Sequence, residues 1–234
     1  MKGLLTLRKS AVIIAVCMAV LCLPGYSEPT PEQIAERTKL LLQAIEYNDV
    51  EWAKLCIKWG AYVNANLGNG HTVLMEATEK ERKDIVELLI RASADVNAKN
   101  DNGCTALMYG AAAGSKDTTE LLIKSGANVN AKDIGGRTAL MATATKSNLS
   151  SSYAERLKDV AELLIKSGAE VNAKDNEGMT ALMLAARWGN KDTVELLIKS
   201  GANVNAKDNE GYSALMHTGS DDIADLLRAA GATE

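Results

Sequence analysis

Residues 175–206 read DNEGMTALMLAARWGNKDTVELLIKSGANVNA, and this stretch decides the fold. Its first four residues are turn formers, and the hydroxyl of Thr180 can cap a short helix over Ala181–Trp188. Apolar residues at helical spacing predict a second helix over residues 191–200, and Gly201 is the kind of residue that ends one. The stretch therefore predicts a unit made of a turn, two short antiparallel helices and an extended segment.

The same unit recurs along the chain. Its turn glycine returns every 33 residues, with one interval of 42, at Gly70, Gly103, Gly136, Gly178 and Gly211. A Val-Asn pair follows the same spacing, at Val63-Asn64, Val96-Asn97, Val129-Asn130, Val171-Asn172 and Val204-Asn205. Self-similarity at a fixed period of this length predicts a stacked repeat architecture.

The first helix of each unit carries the most specific motif. It reads Thr-Ala-Leu-Met from Thr105, Thr138 and Thr180, with close variants from Thr72 and Ser213. This resembles the ankyrin repeat, whose signature is Thr-Pro-Leu-His at this point. The resemblance covers nearly all of residues 29–234. It implies an all-α repeat solenoid of stacked helix-turn-helix units with β-turn or hairpin loops, which binds proteins and is not an enzyme.

About six repeats follow from this spacing. They are assigned to residues 29–66, 67–99, 100–132, 133–174, 175–207 and 208–234, and together they form one ankyrin-type domain over residues 28–234. The fourth contains the nine extra residues, including the Ser-rich stretch from Ser147 to Tyr153, which is predicted to be a mobile loop between its helices. The last is shorter and ends in a polar helix, as a terminal repeat should.

The first 27 residues have the layout of a secretory signal peptide. Basic residues precede a 13-residue apolar run from Ala11 to Leu23, and small residues follow at Gly25 and Ser27. A periplasmic or secreted protein is therefore expected. The alternative is an uncleaved leader that anchors the protein in a membrane, although the apolar run is short for a span of about 20 residues.

Charge and cysteine content limit the partners. The chain has a net charge of −4, and the leader holds three basic and no acidic residues, so the remainder is more acidic still. Such a protein is not attracted to nucleic acid or to anionic lipid, and no membrane contact is expected after cleavage of the leader. Outside the leader only Cys56 and Cys104 remain, two repeats apart, so no disulfide is predicted. A monomer is expected.

The sequence shows no pattern typical of a catalytic, metal or cofactor site. The two histidines, His71 and His217, are four repeats apart and cannot share a catalytic site. No paired Cys or His spacing indicates zinc, so neither a metal nor a cofactor is predicted. One Met per repeat could form a ladder through the stack, and interior packing is the expected role: Met75, Met108, Met141, Met183 and Met216.

Candidate binding residues are those that vary between repeats. The resemblance places the turn tips and the outward face of the first helix on a concave binding surface. The tip residues are His71, Cys104, Arg137, Met179 and Tyr212. The predicted partner-binding set is Trp188, Arg187, Tyr109, Arg137, Met179, Tyr212 and Lys146. Trp188 beside Arg187 has the composition of an interface hot spot. The alternative is that Trp188 folds onto the next repeat.

The sequence therefore favours a protein-binding module whose partner is unknown. Two alternatives remain: a secreted effector or immunity-type protein that binds a host or competitor target, and a membrane-anchored structural scaffold.

Overall fold

The computed structural model describes residues 30–145 and 150–233. The leader predicted for residues 1–27 lies outside them, as do Lys146 and the segment 147–149. The chain divides at residue 62 into two compact units. None of the helices in the described ranges is both long and apolar enough to cross a bilayer.

The first unit contains helices α1 (Pro31–Tyr47) and α2 (Val50–Lys58). Thr30 and Gln33 cap the start of α1 reciprocally, as a capping box does, and proline occupies the first helical position. The hydroxyl of Thr38 accepts a hydrogen bond of 3.0 Å from the backbone N–H of Tyr62, which ties the segment after α2 to α1. Cys56 is buried as a small apolar side chain.

The second unit is a helical repeat solenoid. Its helices are α3 (Val73–Glu79), α4 (Lys83–Arg91), α5 (Ala106–Ala113), α6 (Lys116–Lys124), α7 (Ala139–Ala142), α8 (Ser151–Lys166), α9 (Ala181–Arg187), α10 (Lys191–Lys199), α11 (Ala214–His217) and α12 (Asp221–Ala229). The all-α fold predicted from the repeat is confirmed.

Threonine caps begin the first helix of several repeats. The side chains of Thr72, Thr138 and Thr180 each accept a hydrogen bond from the backbone N–H three residues ahead. This bond satisfies one of the amide groups that a helix start leaves without a partner. Helix α9 ends at Arg187, one residue earlier than predicted. Trp188 is the residue that follows the helix.

The methionine ladder lies in the core of the solenoid. Met75, Met108, Met141 and Met183 are at most 7% exposed, so the predicted packing role is confirmed for them. It is wrong for Met216, which is 48% exposed. Met216 lies in the sixth repeat, where no neighbouring repeat among the described residues covers its side chain.

The recurring asparagine of the Val-Asn pairs joins each repeat to the next. The side chain of Asn172 donates to the carbonyl of Gly201 at 3.1 Å and accepts from the backbone N–H of Asn203 at 2.8 Å. The equivalent side chains make the same two bonds one repeat further on: Asn64, Asn97, Asn130 and Asn205. An amide is needed because one side chain must both donate and accept.

The insertion in the fourth repeat lengthens its second helix. Helix α8 has 16 residues, and it begins at Ser151, so the last three residues of the predicted Ser147–Tyr153 loop are helical. The prediction of a loop through Tyr153 is therefore wrong. The Tyr153 hydroxyl donates to the carbonyl of Ala112 at 2.6 Å, and the Arg156 guanidinium donates to that of Ala113 at 2.9 Å. The added turn thus caps the carbonyl end of α5.

Candidate partner-binding surface

The turn tips of the second unit are joined to one another by backbone hydrogen bonds. The N–H of Asp101 donates to Asn69, that of Ile134 to Asn102, that of Asn176 to Gly135 and that of Asn209 to Glu177, at 2.9 to 3.0 Å. The tips therefore form a ladder with one bond between neighbours. Side chains that leave these tips, and those on the outward face of the first helices, are held at a fixed spacing.

The tips of repeats two to five require glycine for two reasons. Gly178 has a φ of +80°, and an added Cβ would lie 2.8 Å from the backbone nitrogen of Asn209 in the next tip. Gly70, Gly103 and Gly136 have the same conformation and the same close approach. The recurring glycine therefore permits the turn and also lets adjacent tips pack closely.

A cavity of about 220 Å³ lies between the third and fourth repeats. Met108, Tyr109, Ala112 and Ala142 supply much of its apolar lining, and Arg137 lies at its polar side. A small apolar recess beside a cationic side chain can hold one apolar side chain of a bound peptide next to a carboxylate. We call the face of repeats three and four around this cavity the tip surface.

Tyr109 is held firmly within this surface. Its hydroxyl accepts a hydrogen bond of 3.0 Å from the side-chain amide of Asn100, and its ring meets that of His71 edge to face at 5.2 Å between centroids. Burial raises the pKa of the Tyr109 phenol, so the side chain is neutral at physiological pH. A fixed aromatic side chain loses little conformational entropy when a partner binds.

Arg137 is half exposed and close to a second recess. Its backbone N–H donates to Asp133, and its Nε lies 3.8 Å from a carboxylate oxygen of the buried Asp175. A recess of about 510 Å³ lies on the outer side of Arg137, beside Ile134. Ile134 is 68% exposed and was missed by the sequence analysis. The available signal was an apolar residue at a tip position where the neighbouring repeats have Asp or Asn.

Comparison with family models agrees with this architecture. The model described as ankyrin repeats (3 copies) matches residues 41–133, 130–208 and 150–233. The chain belongs to the ankyrin repeat family. Ankyrin repeats are protein–protein interaction modules and are typically not enzymes. No curated protein matches the chain.

Two of the predicted binding residues line one cavity of the ankyrin stack, namely Tyr109 and Arg137. The tip residue Cys104 lines it as well. Burial raises the pKa of the Cys104 thiol, so it remains protonated at neutral pH and acts as a packing group rather than as a reactive thiolate. Neither of the two described cysteines forms a disulfide.

Met179 is not on the exposed tip as predicted. Its side chain is only 3% exposed, so the expectation of a solvent-facing residue is wrong. The side chain of Asp175 accepts the backbone N–H of Met179 at 2.9 Å and fixes the turn. A flexible apolar side chain then gains more free energy by filling the interior than by facing water.

Trp188 and Arg187 lie apart from the tip cavity. Trp188 is 40% exposed and lines a groove of about 440 Å³ with residues of α8, including Ala154 and Leu157. Trp188 is the residue that follows α9, so the prediction that it lies on the outward face of this first helix is wrong. Arg187 is the exposed last residue of α9, and it occupies the repeat position of Ala112 and Thr145, which line the tip cavity.

Tyr212 belongs to the terminal repeat. It is 47% exposed, and its ring meets that of His217 at 5.9 Å. His217 lies 2.7 Å from a carboxylate oxygen of Asp208. Burial opposes the charge of Asp208, but hydrogen bonds from the backbone of Tyr212 and from His217 outweigh it and lower the pKa of that carboxyl group. The last predicted residue, Lys146, lies outside the described ranges.

Proposed function

We propose that the second unit binds a protein partner through the tip surface, and that the partner inserts an apolar side chain beside an acidic group. The observation that carries this proposal is the cavity between repeats three and four, whose lining includes both an immobilised tyrosine and a half-exposed arginine. Aromatic and arginine side chains supply much of the energy of protein interfaces. The other predicted contacts, Arg187 and Tyr212, lie in later repeats and would extend the surface.

Charge supports an acidic group on the partner. Arg137 supplies the one positive side chain among the described residues of the cavity lining, which also includes Asp133. The Asp133 carboxylate accepts the backbone N–H of Arg137, so the guanidinium group can still offer two parallel hydrogen bonds to a carboxylate of the partner. The existing ion pair of Arg137 with Asp175 is long, at 3.8 Å, so the guanidinium retains donors for a partner. The net negative charge of the chain makes Arg137 a local attraction on an otherwise unfavourable background.

We also propose that the protein is exported and acts as a monomer outside the cytoplasm. The signal-like pattern of residues 1–27 supports export. N-terminal sequencing of the protein from its native compartment tests this. A first residue at or near Glu28 would support release, and an intact Met1 would support the membrane-anchored scaffold instead.

The binding proposal is tested by placing a photo-crosslinking amino acid at Ala112, inside the cavity. The control places the same group at Lys124, which is exposed on the second helix of the same repeat. We expect a discrete adduct from position 112 and none from position 124. Adducts of equal yield from both positions would contradict a specific tip surface.

A charge reversal then measures the contribution of Arg137. Arg137→Glu should weaken binding of the crosslinked partner at least tenfold, which corresponds to about 1.4 kcal/mol. Lys124→Glu makes the same change in net charge on the second helix and should leave the affinity within about twofold, since exposed rim charges contribute little. Equal losses in the two variants would indicate general electrostatic attraction and not a site.

A further inference from the structure

Three side chains of the second repeat converge at its tip. His71 is the last tip residue before α3, and Glu76 and Glu79 lie on the outward face of that helix. The Nε2 atom of His71 lies 3.2 Å from Oε2 of Glu76 and 3.9 Å from Oε2 of Glu79. One ligand atom from each residue lies within 4.8 Å of the other two.

The histidine nitrogen has no hydrogen-bond partner of its own. Nε2 is buried, and it forms no hydrogen bond within the part of the chain that the structure describes, despite its nearness to Glu76. The His71 ring is fixed, because its backbone closes the tip by hydrogen bonds with Leu67 and Gly68 and its ring packs edge to face on Tyr109. A buried polar atom without a partner requires an explanation, and a bound ion is one.

The tip of this repeat also lacks the polar side chain that bonds to the first helix in the third and the last repeat. In the third repeat, Asn100 of the tip donates to Tyr109, which occupies the repeat position of Glu76. In the last repeat, Asp208 pairs in the same way with His217. The corresponding tip residue of the second repeat is Leu67, which has no polar group to offer. The carboxylate of Glu76 therefore receives no hydrogen bond from residue 67.

Other repeats do not place three ligands at these positions. The triple that corresponds to His71, Glu76 and Glu79 is Cys104, Tyr109 and Ala112 in the third repeat, Arg137, Ala142 and Thr145 in the fourth, and Met179, Leu184 and Arg187 in the fifth. The backbone is shared, so the ligand set arises from substitutions in one repeat. Because the set includes an imidazole, it is more than a cluster of exposed acids.

We propose that His71, Glu76 and Glu79 bind a divalent transition-metal ion, with Zn²⁺ as the ion that the donors fit best. Imidazole and carboxylate ligands suit zinc, whereas magnesium and calcium prefer oxygen alone. Ligand distances of about 2.0–2.2 Å place tetrahedral ligands about 3.3 Å apart. The 3.2 Å between Nε2 and Glu76 matches this spacing, whereas Glu79, at 3.9 Å, has to move closer by a change of its side-chain torsions. Two carboxylates and a neutral imidazole carry the charge that a divalent cation neutralises.

This arrangement leaves a fourth position for water or for a side chain of another molecule. Lys80 Nζ lies 3.5 Å from the other oxygen of Glu76, so that oxygen is engaged while Oε2 remains directed at His71. All three ligands belong to the second repeat, although the His71 ring also packs on Tyr109 of the third. The metal site does not depend on the proposed binding of a protein partner at repeats three and four.

The test titrates the purified full chain with Zn²⁺ alone, against a chromophoric chelator. We expect one saturable site per chain, and at least a tenfold loss of affinity in His71→Ala and in Glu79→Gln. Glu79 is more than half exposed on its helix, so its substitution leaves the fold intact and keeps the test valid if His71→Ala is unstable. His217→Ala removes the other histidine and should leave the affinity unchanged.

A second measurement distinguishes this site from a thiol site. Co²⁺ bound to nitrogen and oxygen ligands gives visible bands without strong thiolate-to-metal absorption, and Cys104→Ser should not change the Zn²⁺ affinity. The proposal is overturned if no saturable binding occurs. It is also overturned if Glu79→Gln and His71→Ala bind as tightly as the unmodified chain, or if Cys104→Ser abolishes binding.

Discussion

Repeats two and five share one backbone and differ in what they present to solvent. Their first helices each have seven residues and their second helices nine, and both first helices begin at a threonine cap. Met75 and Met183 are buried at the same position in each. Sequence differences that leave this interior intact are concentrated at the tip and on the outward face.

The residues that differ favour regular stacking in repeat five and a polar cluster in repeat two. Repeat five has Asp175 to fix its tip, Gly201 after its second helix, and the buried Met179 behind the tip. In repeat two, Leu67 replaces Asp175 and Ser93 replaces Gly201. The polar residue His71 replaces the buried Met179. Repeat five is thus arranged for regular stacking. Repeat two gives up some of that regularity where His71 meets two glutamates, which is the pattern expected of a functional site.

The largest expected effect concerns close packing between tips. Gly178→Ala should lower the free energy of unfolding by about 2–5 kcal/mol, because the new Cβ would need a left-handed backbone and would also clash with the tip of the last repeat. Urea denaturation followed by circular dichroism measures it. Gly70→Ala in repeat two meets the backbone of Asn100 at 2.7 Å and should lose a similar amount.

Gly211→Ala is the matched control for tip packing. Gly211 has a φ of +88°, but none of the described atoms lies within 4 Å of an added Cβ, since no described tip packs on its outer side. Gly211→Ala should lower the free energy of unfolding only by the cost of the left-handed backbone, about 1–2 kcal/mol. If Gly178→Ala and Gly211→Ala lose equal amounts, the close approach of neighbouring tips contributes nothing and glycine serves the turn alone.

The sequence was a good guide to the interior of the stack. Threonine caps, turn glycines and the buried methionines each have a local cause and repeat at a fixed period, so their positions could be read from one unit. It was a poorer guide at helix ends. Trp188 was assigned to a helix face by counting, whereas α9 ends at Arg187 and the tryptophan lies against the second helix of the preceding repeat.

Contacts between distant residues could not be read from local spacing. Paired Cys or His residues indicate a metal site in a sequence, whereas His71, Glu76 and Glu79 converge only because a tip folds back onto the helix that follows it. The repeat period located Arg137 and Tyr109 on neighbouring units. The cavity between them depends on the depth to which side chains such as Met108 and Ala112 fill the space.

The residue after the second helix provides the next comparison. Gly201 has a φ of +86°, and Gly201→Val should cost about 1–3 kcal/mol because a β-branched residue is strained there. Space is not the cause, since nothing lies within 4 Å of an added Cβ. Gly201→Asn should lose much less, because asparagine tolerates this conformation. Thermal and urea denaturation of both variants would show whether strain is the reason; equal losses would argue against it.

The asparagine that joins repeat four to repeat five should contribute as much as the one that joins repeat two to repeat three. Asn172→Ala removes two hydrogen bonds to the next repeat and should cost about 1–2 kcal/mol. Asn97→Ala removes the same two bonds from repeat two and should lose as much. The control is Asn203→Ala, which removes an acceptor used within its own loop and should lose less. A larger loss at Asn203 would show that loop closure, and not bridging between repeats, explains the recurring asparagine.

The smallest expected effect is a gain in stability. Ser93 occupies the position of Gly201 in repeat two, and it has a φ of +66°, which strains a residue with a side chain. Ser93→Gly should relieve that strain. The gain is partly offset because glycine loses more backbone entropy on folding, so we expect a net increase of about 0.5–1 kcal/mol.

The control for this gain is Ser200→Gly, one residue before Gly201. Ser200 has a φ of −91°, so there is no strain to relieve, and its hydroxyl donates to the carbonyl of Leu196 at 2.7 Å. Ser200→Gly should therefore be less stable than the unmodified protein, while Ser93→Gly is more stable. Opposite signs in urea denaturation would establish that repeat two carries a strain that repeat five has avoided. A loss of stability in both variants would show that the Ser93 backbone is not strained.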